Sequence, residues 1–166
     1  MALKTDIVGM VWRYPDYFEV GREQVRGFAR AIKCEDPACF DEAAAAELGY
    51  DTIIAPLTFV SILAKLVQDD FFRNVDVGME TMQIVQVDQK FHYHKPLSVG
   101  DKLFGRMEVQ SVEERFGADI VITKNTCTNA AGEVVLEAYT TLMGHQGDNS
   151  IQLRWDKESG QVVRTA

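Results

Sequence analysis

The chain has 166 residues, 46% hydrophobic and 25% charged, with a net charge of −8 at pH 7. Its length is that of one globular domain, since domains run to roughly 100–200 residues, and a core of this size needs no disulfide or metal staple. The acidic balance argues against nucleic-acid binding, no apolar run is long enough to cross a bilayer, and three cysteines without a Cys-x-x-Cys pair fit a reduced compartment. The N-terminal stretch lacks the basic start, apolar run and small-residue cleavage site of a signal peptide, so a cytoplasmic location is expected.

In chain order, the first predicted element is a helix from Arg22 to Ile32. Val25, Phe28, Ala29 and Ile32 make its apolar stripe. Pro37 ends that region by disfavouring helical geometry in the residue before it. A short helix over Asp41–Leu48 follows, with acidic residues at its start and Gly49 at the C′ position. The segment Leu57–Phe72 is apolar nearly all round until Gln68, Asp69 and Asp70, the pattern of a helix buried on most sides.

Strands come next. Thr81–Lys95 is a long candidate with Val85, Val87, Phe91 and Tyr93 on one parity. Residues 96–101 read as a turn. Lys102–Val112 alternates, with Leu103, Met107 and Val109 opposite Arg106, Glu108 and Gln110. A turn is expected over 113–117, a β-branched strand over Asp119–Thr128, a hairpin turn at Asn129–Gly132 and a last strand over Glu133–Met143. Consecutive strands with short turns predict an antiparallel meander. Residues 147–166 are polar and read as an extension, a small hairpin around Lys157–Gly160, outside a single domain of residues 1–146.

Helices followed by strands argue for an α+β class. A buried helix in so small a domain needs a curved antiparallel sheet to wrap it, which is the hot-dog architecture: a long central helix wrapped by an antiparallel β-sheet.

The chain carries no obvious acid–base constellation. Neither Gly-x-Ser-x-Gly nor Ser-x-x-Lys occurs. His92 and His94 alternate on one strand and could bind zinc with a third ligand, but two imidazoles on a half-exposed strand are the simpler reading, and no metal is expected. Cys34 and Cys39 flank the Asp36-Pro37 turn; a redox pair and two half-buried apolar side chains are the alternatives. Asp69 and Asp70 read as the solvated end of the central helix.

The stretch Lys33-Cys34-Glu35-Asp36-Pro37-Ala38-Cys39, followed by Ala55-Pro56-Leu57-Thr58-Phe59, resembles the motif of the MaoC-like (hydratase-2) family of (R)-specific enoyl hydratases and dehydratases. Ile7-Val8-Gly9-Met10, Arg13-Tyr14-Pro15-Asp16, Gly100-Asp101-Lys102-Leu103 and the Trp155–Gln161 tail are similar to accessory subunits of the heterodimeric (3R)-hydroxyacyl-ACP dehydratases of mycolic-acid synthesis. The resemblance spans nearly the whole chain. It places the family's catalytic Asp at Cys34, its catalytic His at Cys39, and its carbonyl-holding Gly at Leu57.

What the resemblance implies is a subunit without an active site of its own. Two thiols are poor substitutes for a carboxylate and an imidazole that must take one proton and deliver another. A HadB-like catalytic partner would bring those groups, joined through the strand Met82–Val87. This chain would cover the acyl tail with Phe59, Ile62, Leu63, Leu66 and Val67, each of which could equally be plain core. No cofactor is implied, because the long acyl substrate arrives on the phosphopantetheine of an acyl carrier protein; the partner is expected to supply the basic docking patch. The alternatives are a self-sufficient hot-dog thioesterase or hydratase using Asp36, Asp41 or His94, and a lipid-binding scaffold.

Overall fold

A computed structural model describes residues 7–75, 82–115, 117–146, 152–156, 158 and 161–165. The elements are β1 (Val11–Arg13), β2 (Phe18–Glu19), α1 (Arg22–Ala31), α2 (Glu42–Glu47), α3 (Ser61–Asn74), β3 (Met82–Tyr93), β4 (Lys102–Arg115), β5 (Ala118–Thr128), β6 (Val134–Gln146), β7 (Gln152–Asp156) and β8 (Gln161–Thr165). The fold is the hot-dog α+β architecture, with α3 lying on an antiparallel sheet of six strands.

The sheet order corrects the simple meander. β4, β5 and β6 are sequential neighbours, but β3 pairs with β6, giving the path β1-β4-β5-β6-β3 with β2 also on β4. Residues 96–101 therefore carry the chain from β3, at one edge of the sheet, past β6 and β5 to β4, where a turn between neighbours was expected. Ala55 N–H donates to Leu97 O at 2.7 Å and Val99 N–H to Ile53 O at 3.0 Å, so this crossing is held against the segment that leads into α3. The turn expected over 113–117 is shorter, because β4 runs on to Arg115; Phe116 lies outside the described residues.

β3 departs from the single parity of its sequence. Its register on β6 slips between Gln86 and Asp88, leaving Val87 as the extra residue of a bulge. A one-residue slip moves every later side chain to the opposite face. Phe91 and Tyr93 thus stand opposite Ala138 and Leu136 on the inner face, whereas Val85 stands opposite Met143 on the outer one.

The inner face is the core. Leu103, Met107 and Val109 of β4, Val121 and Cys127 of β5, and Leu136, Ala138 and Leu142 of β6 are all buried there. α3 presents Leu63, Val67 and Phe71 to it, one apolar residue per turn. The helix is less enveloped than its sequence suggests. Ser61 and Lys65 are exposed, and Ile62 and Leu66 are half-buried, so its far side is open. Its first turn is a 3-10 turn over Leu57–Val60, entered from Pro56. Phe59 is fully buried, with Phe28 edge-on at 5.5 Å and Phe18 at 6.1 Å between ring centroids.

Both ends of α3 are fastened. At its start the Tyr93 hydroxyl donates to Leu57 O. Toward its end Trp12 Nε1–H of β1 donates to Asp70 Oδ2 at 2.8 Å, so Asp70 anchors the helix where a merely solvated end was expected. β7 and β8 pair as a separate two-stranded sheet; Lys157, Ser159, Gly160 and residues 147–151 of the expected hairpin region lie outside the described residues.

One contact sets the height of the helix above the sheet. A Cβ on Gly105 would stand 2.5 Å from Val67 Cγ2 and 3.5 Å from Leu63 Cδ1. Gly105→Ala is expected to destabilise the fold by about 1–3 kcal/mol, the usual range for overpacking, whereas Ala at exposed Gly27, with open space around it, should not. Urea unfolding of the two variants checks the contrast.

Candidate functional site

The motif segment lies between α1 and α2. Lys33, with φ at 57°, turns the chain out of α1. Asp36 caps a 3-10 turn over Pro37–Cys39 by accepting from Ala38 N–H at 3.0 Å, and Asp41 caps α2 by accepting from Ala44 N–H at 3.0 Å. Both carboxylates are thereby engaged at element starts, the role their position in a turn favours. Arg26 of α1 donates from Nη2 to Phe40 O at 2.7 Å and from Nε at 3.1 Å, pinning the same loop.

The turn brings Cys34 and Cys39 together. Cys34 Sγ–H points at Cys39 Sγ across 3.9 Å, and all three cysteines of the chain are free. Cys39 is 2% exposed. Burial first, then its hydrogen bond with Cys34, pushes its thiol up from 9.0 to about 12. Such a group neither takes nor gives a proton near neutral pH. Cys127, buried in β5, is pushed up to about 12 by the same desolvation.

The histidines sit elsewhere. His94 Nε2 lies 3.5 Å from Glu137 Oε2, and His92 meets the Tyr139 ring edge-on at 5.9 Å between centroids. Lys124 Nζ, 2.6 Å from Glu137 Oε1, holds that carboxyl below the usual carboxylate range. These residues share the outer face of the sheet, opposite α3 and apart from the cysteine turn. Among the described residues no three His, Cys, Asp or Glu side chains converge as a metal site would require.

The open face of the molecule is a groove of about 570 Å3 between α3 and β3. Thr58, Ser61, Ala64 and Gln68 form its helix wall, and Gln86, Gln89 and Phe91 its strand wall. Of the residues expected to meet an acyl chain, Ile62 and Leu66 line an adjoining shallow groove of about 320 Å3. Phe59, Leu63 and Val67 pack into the core at 0%, 3% and 1% exposure. The polar helix positions and the two glutamines were not singled out from sequence. Spacing at Ser61, Lys65 and Gln68 marks an open helix face; Gln89 shares the parity of Phe91, and Gln86 faces the groove with it only because of the bulge.

A polar stripe continues from Gln89 under the helix. Gln89 Nε2–H donates to Tyr139 O at 3.0 Å, and Thr140 Oγ1–H donates to Gln89 Oε1 at 3.1 Å. On the neighbouring strand, Thr123 and Asn125 are buried, and Thr123 Oγ1 and both amide atoms of Asn125 lack a hydrogen-bond partner.

The comparisons with known proteins agree with this frame. Residues 6–138 match the family described as FAS1-like, dehydratase domain region. The chain is 76% identical over the full length of both proteins to UPF0336 protein ML1908 of Mycobacterium leprae. It also matches a chain in the crystal structure of a C-terminally truncated HadBC (3R-hydroxyacyl-ACP dehydratase) complex of Mycobacterium tuberculosis. There the identity is 70%, the TM-score 0.80, and the coverage 86% of this chain and 100% of that one. A MaoC-like dehydratase aligns at 33% identity and TM-score 0.79, covering 96% of this chain but only 52% of its own. The chain belongs to the UPF0336 family and carries a FAS1-like, MaoC-type dehydratase domain. No described helix is long and apolar enough to span a membrane.

The buried thiols make two measurable statements. At pH 8 a thiol of pKa about 12 is ionised to roughly one part in 10⁴; iodoacetamide should therefore spare Cys39 and Cys127 in the native protein and reach both after unfolding. The folded thiols also hold protons that the unfolded ones release from about 9.0 upward. The native state binds more protons in the window between 9.0 and about 12, so unfolding free energy falls as pH rises through it. Urea titrations of wild type and of Cys39→Ala/Cys127→Ala should show the shallower alkaline decline in the variant.

Proposed function

We propose that this chain is a HadC-type subunit: the non-catalytic, channel-forming half of a heterodimeric (3R)-hydroxyacyl-ACP dehydratase of fatty-acid elongation in mycolic-acid synthesis. The complex removes the Cα proton and the C3 hydroxyl of a long-chain (3R)-hydroxyacyl-ACP as water, leaving the trans-2-enoyl thioester. A HadB-like partner supplies the Asp and His. The acyl group comes on the phosphopantetheine of the carrier protein, and neither metal nor organic cofactor takes part.

The observation that carries this reading is the cysteine pair. At the two motif positions where proton transfer is required, the chain holds thiols 3.9 Å apart, one of them sealed in the core. Nearby Asp36 and Asp41 are spent on capping, and His94 is on the far face of the sheet. The match to a chain of the HadBC complex supports a place in a two-subunit dehydratase.

The geometry also favours a particular mode of pairing. β3 is an edge strand among the described residues, and it exposes Ile84, Val85 and Val87 at 39%, 57% and 48%. An edge that apolar invites another strand. Pairing there would set the groove along β3 and α3 against the partner, with Ile62 and Leu66 beside it and Phe59, Leu63 and Val67 as the packed layer behind.

Purified alone, the chain should not hydrate an enoyl thioester; mixed with a motif-intact HadB-like protein, it should raise the rate above that of either component. Cys34→Ala/Cys39→Ala should keep the complex within about twofold of wild type, because no transition-state contact is lost. Activity of the isolated chain that depends on Asp36 would overturn the reading. Val85→Lys with Val87→Lys should abolish co-elution with the partner while leaving the monomer's unfolding midpoint within experimental error, since both side chains are exposed.

A further inference from the structure

The turn that brings Cys34 and Cys39 together also gives them unequal access to solvent. Cys34 is half-buried between exposed Lys33 and Glu35, whereas Cys39 is 2% exposed. Both are held by the backbone. Cys34 N–H donates to Ala29 O of α1 at 2.9 Å, and Cys39 N–H donates to Asp36 O at 3.2 Å. Between them the Asp36 carboxylate fixes the turn through Ala38 N–H. The two sulfurs are in contact at 3.9 Å. A disulfide of about 2.05 Å needs them closer by roughly 1.9 Å, which a rotamer change at Cys34, the less enclosed of the two, can supply.

We propose that Cys34 and Cys39 form a reversible redox site, in which Cys34 takes the oxidising equivalent of a hydroperoxide and Cys39 resolves it as an intramolecular disulfide. The site stands apart from the dehydratase reading and needs no partner chain. It also gives the two thiols at the motif positions a chemistry of their own, one that transfers electrons where a carboxylate and an imidazole would transfer protons.

The Cys34 sulfur attacks the terminal oxygen of the hydroperoxide. The O–O bond breaks, and the alcohol leaves with the thiol proton, giving the Cys34 sulfenic acid. The Cys39 sulfur then attacks the Cys34 sulfur. The S–S bond forms, the S–O bond breaks, and the departing hydroxide takes the Cys39 proton as water. Two thiols lose two electrons in all, and the hydroperoxide is reduced to alcohol and water. A thiol of pKa about 12 still yields its proton to hydroxide, whose conjugate acid stands at about 15.7. Burial therefore shields Cys39 from external reagents without disabling it toward the sulfur it already touches. The new bond closes a ring over residues 34–39, joining the end of α1 to the turn whose Ala38 O receives Ile54 N–H at 3.2 Å.

The full chain, first reduced, is treated with tert-butyl hydroperoxide and digested without reductant for peptide mass mapping. A Cys34–Cys39 link two hydrogens lighter, reopened by dithiothreitol and formed in a yield independent of protein concentration, is the expected product. Cys127, 4% exposed in β5, is the internal control and should stay a thiol. Dimedone, which traps sulfenic acids, should label Cys34 more heavily in Cys39→Ala than in wild type. Should Cys39→Ala fail to fold, Cys34→Ser, changed at the half-buried position, carries the decision: it should leave Cys39 reduced. Equal dimedone labelling of wild type and Cys39→Ala, links between two chains, oxidation of Cys39 in Cys34→Ser, or wild-type thiols left free by the hydroperoxide would each overturn the site.

Discussion

The inner half of the molecule is organised by how low α3 rests on β4. Gly105 has no Cβ, and any Cβ there would stand 2.5 Å from Val67 Cγ2. This absence lets Leu63 and Val67 reach down among Cys127, Leu136 and Ala138. Tight seating at one point tilts the question of packing to the others. Directly under the helix almost no space is left, while toward β3 the same helix face opens into a groove of about 570 Å3. A helix pressed down at mid-length and fastened by Tyr93 at one end and Trp12 at the other cannot close that groove by settling.

The bulge in β3 decides what the groove is made of. Without it, Val85 and Phe91 would point the same way, and Val85 and Val87 would take the place that Gln86 holds on the strand wall. With Val87 looped out, Gln86 joins Gln89 and Phe91 on the face toward α3, and Val85 is left on the outer face. One extra residue therefore produces two surfaces: a lined groove facing the helix and an exposed apolar strand facing solvent. In a heterodimer these two surfaces would be used together, the strand for pairing and the groove for whatever the pair encloses.

The helices were legible because their signals are local. Stripe spacing marks α1, Asp41 and Gly49 bracket α2, and the apolar density of α3 marks it as the central helix; β4 alternates as its buried Leu103, Met107 and Val109 require. The partner choice of β3 was not legible, because nothing in a strand's own sequence distinguishes pairing with the next strand from crossing the sheet to reach the last one. The bulge was hidden for a related reason. A run of Val, Gln and Asp residues fits either parity, and only the ladder with β6 selects the slip. The cysteine positions were readable from the motif they interrupt, yet their closeness depends on the Asp36-capped turn folding them onto each other. The burial of Asn125 without a hydrogen-bond partner was not legible either, since an amide on a β-branched strand becomes informative only once its surroundings are known.

The motif loop is packed as a thiol pair permits. A carboxylate and an imidazole that exchange protons with a substrate must stay solvated or paired, because a lone buried charge is prohibitively costly. That demand keeps a catalytic loop partly open. Thiols carry no such demand: protonated, they pack as small apolar groups. With Cys39 buried and Cys34 beside it, the loop closes onto the core, held by Arg26 on Phe40 O and by Ile54 N–H on Ala38 O. Pro37, the one residue kept from the motif, and Asp36, standing where the motif has Asn, shape the turn. Under the proposed reading, in which another polypeptide does the proton chemistry, the loop is left with the task of supporting α3 and its neighbours.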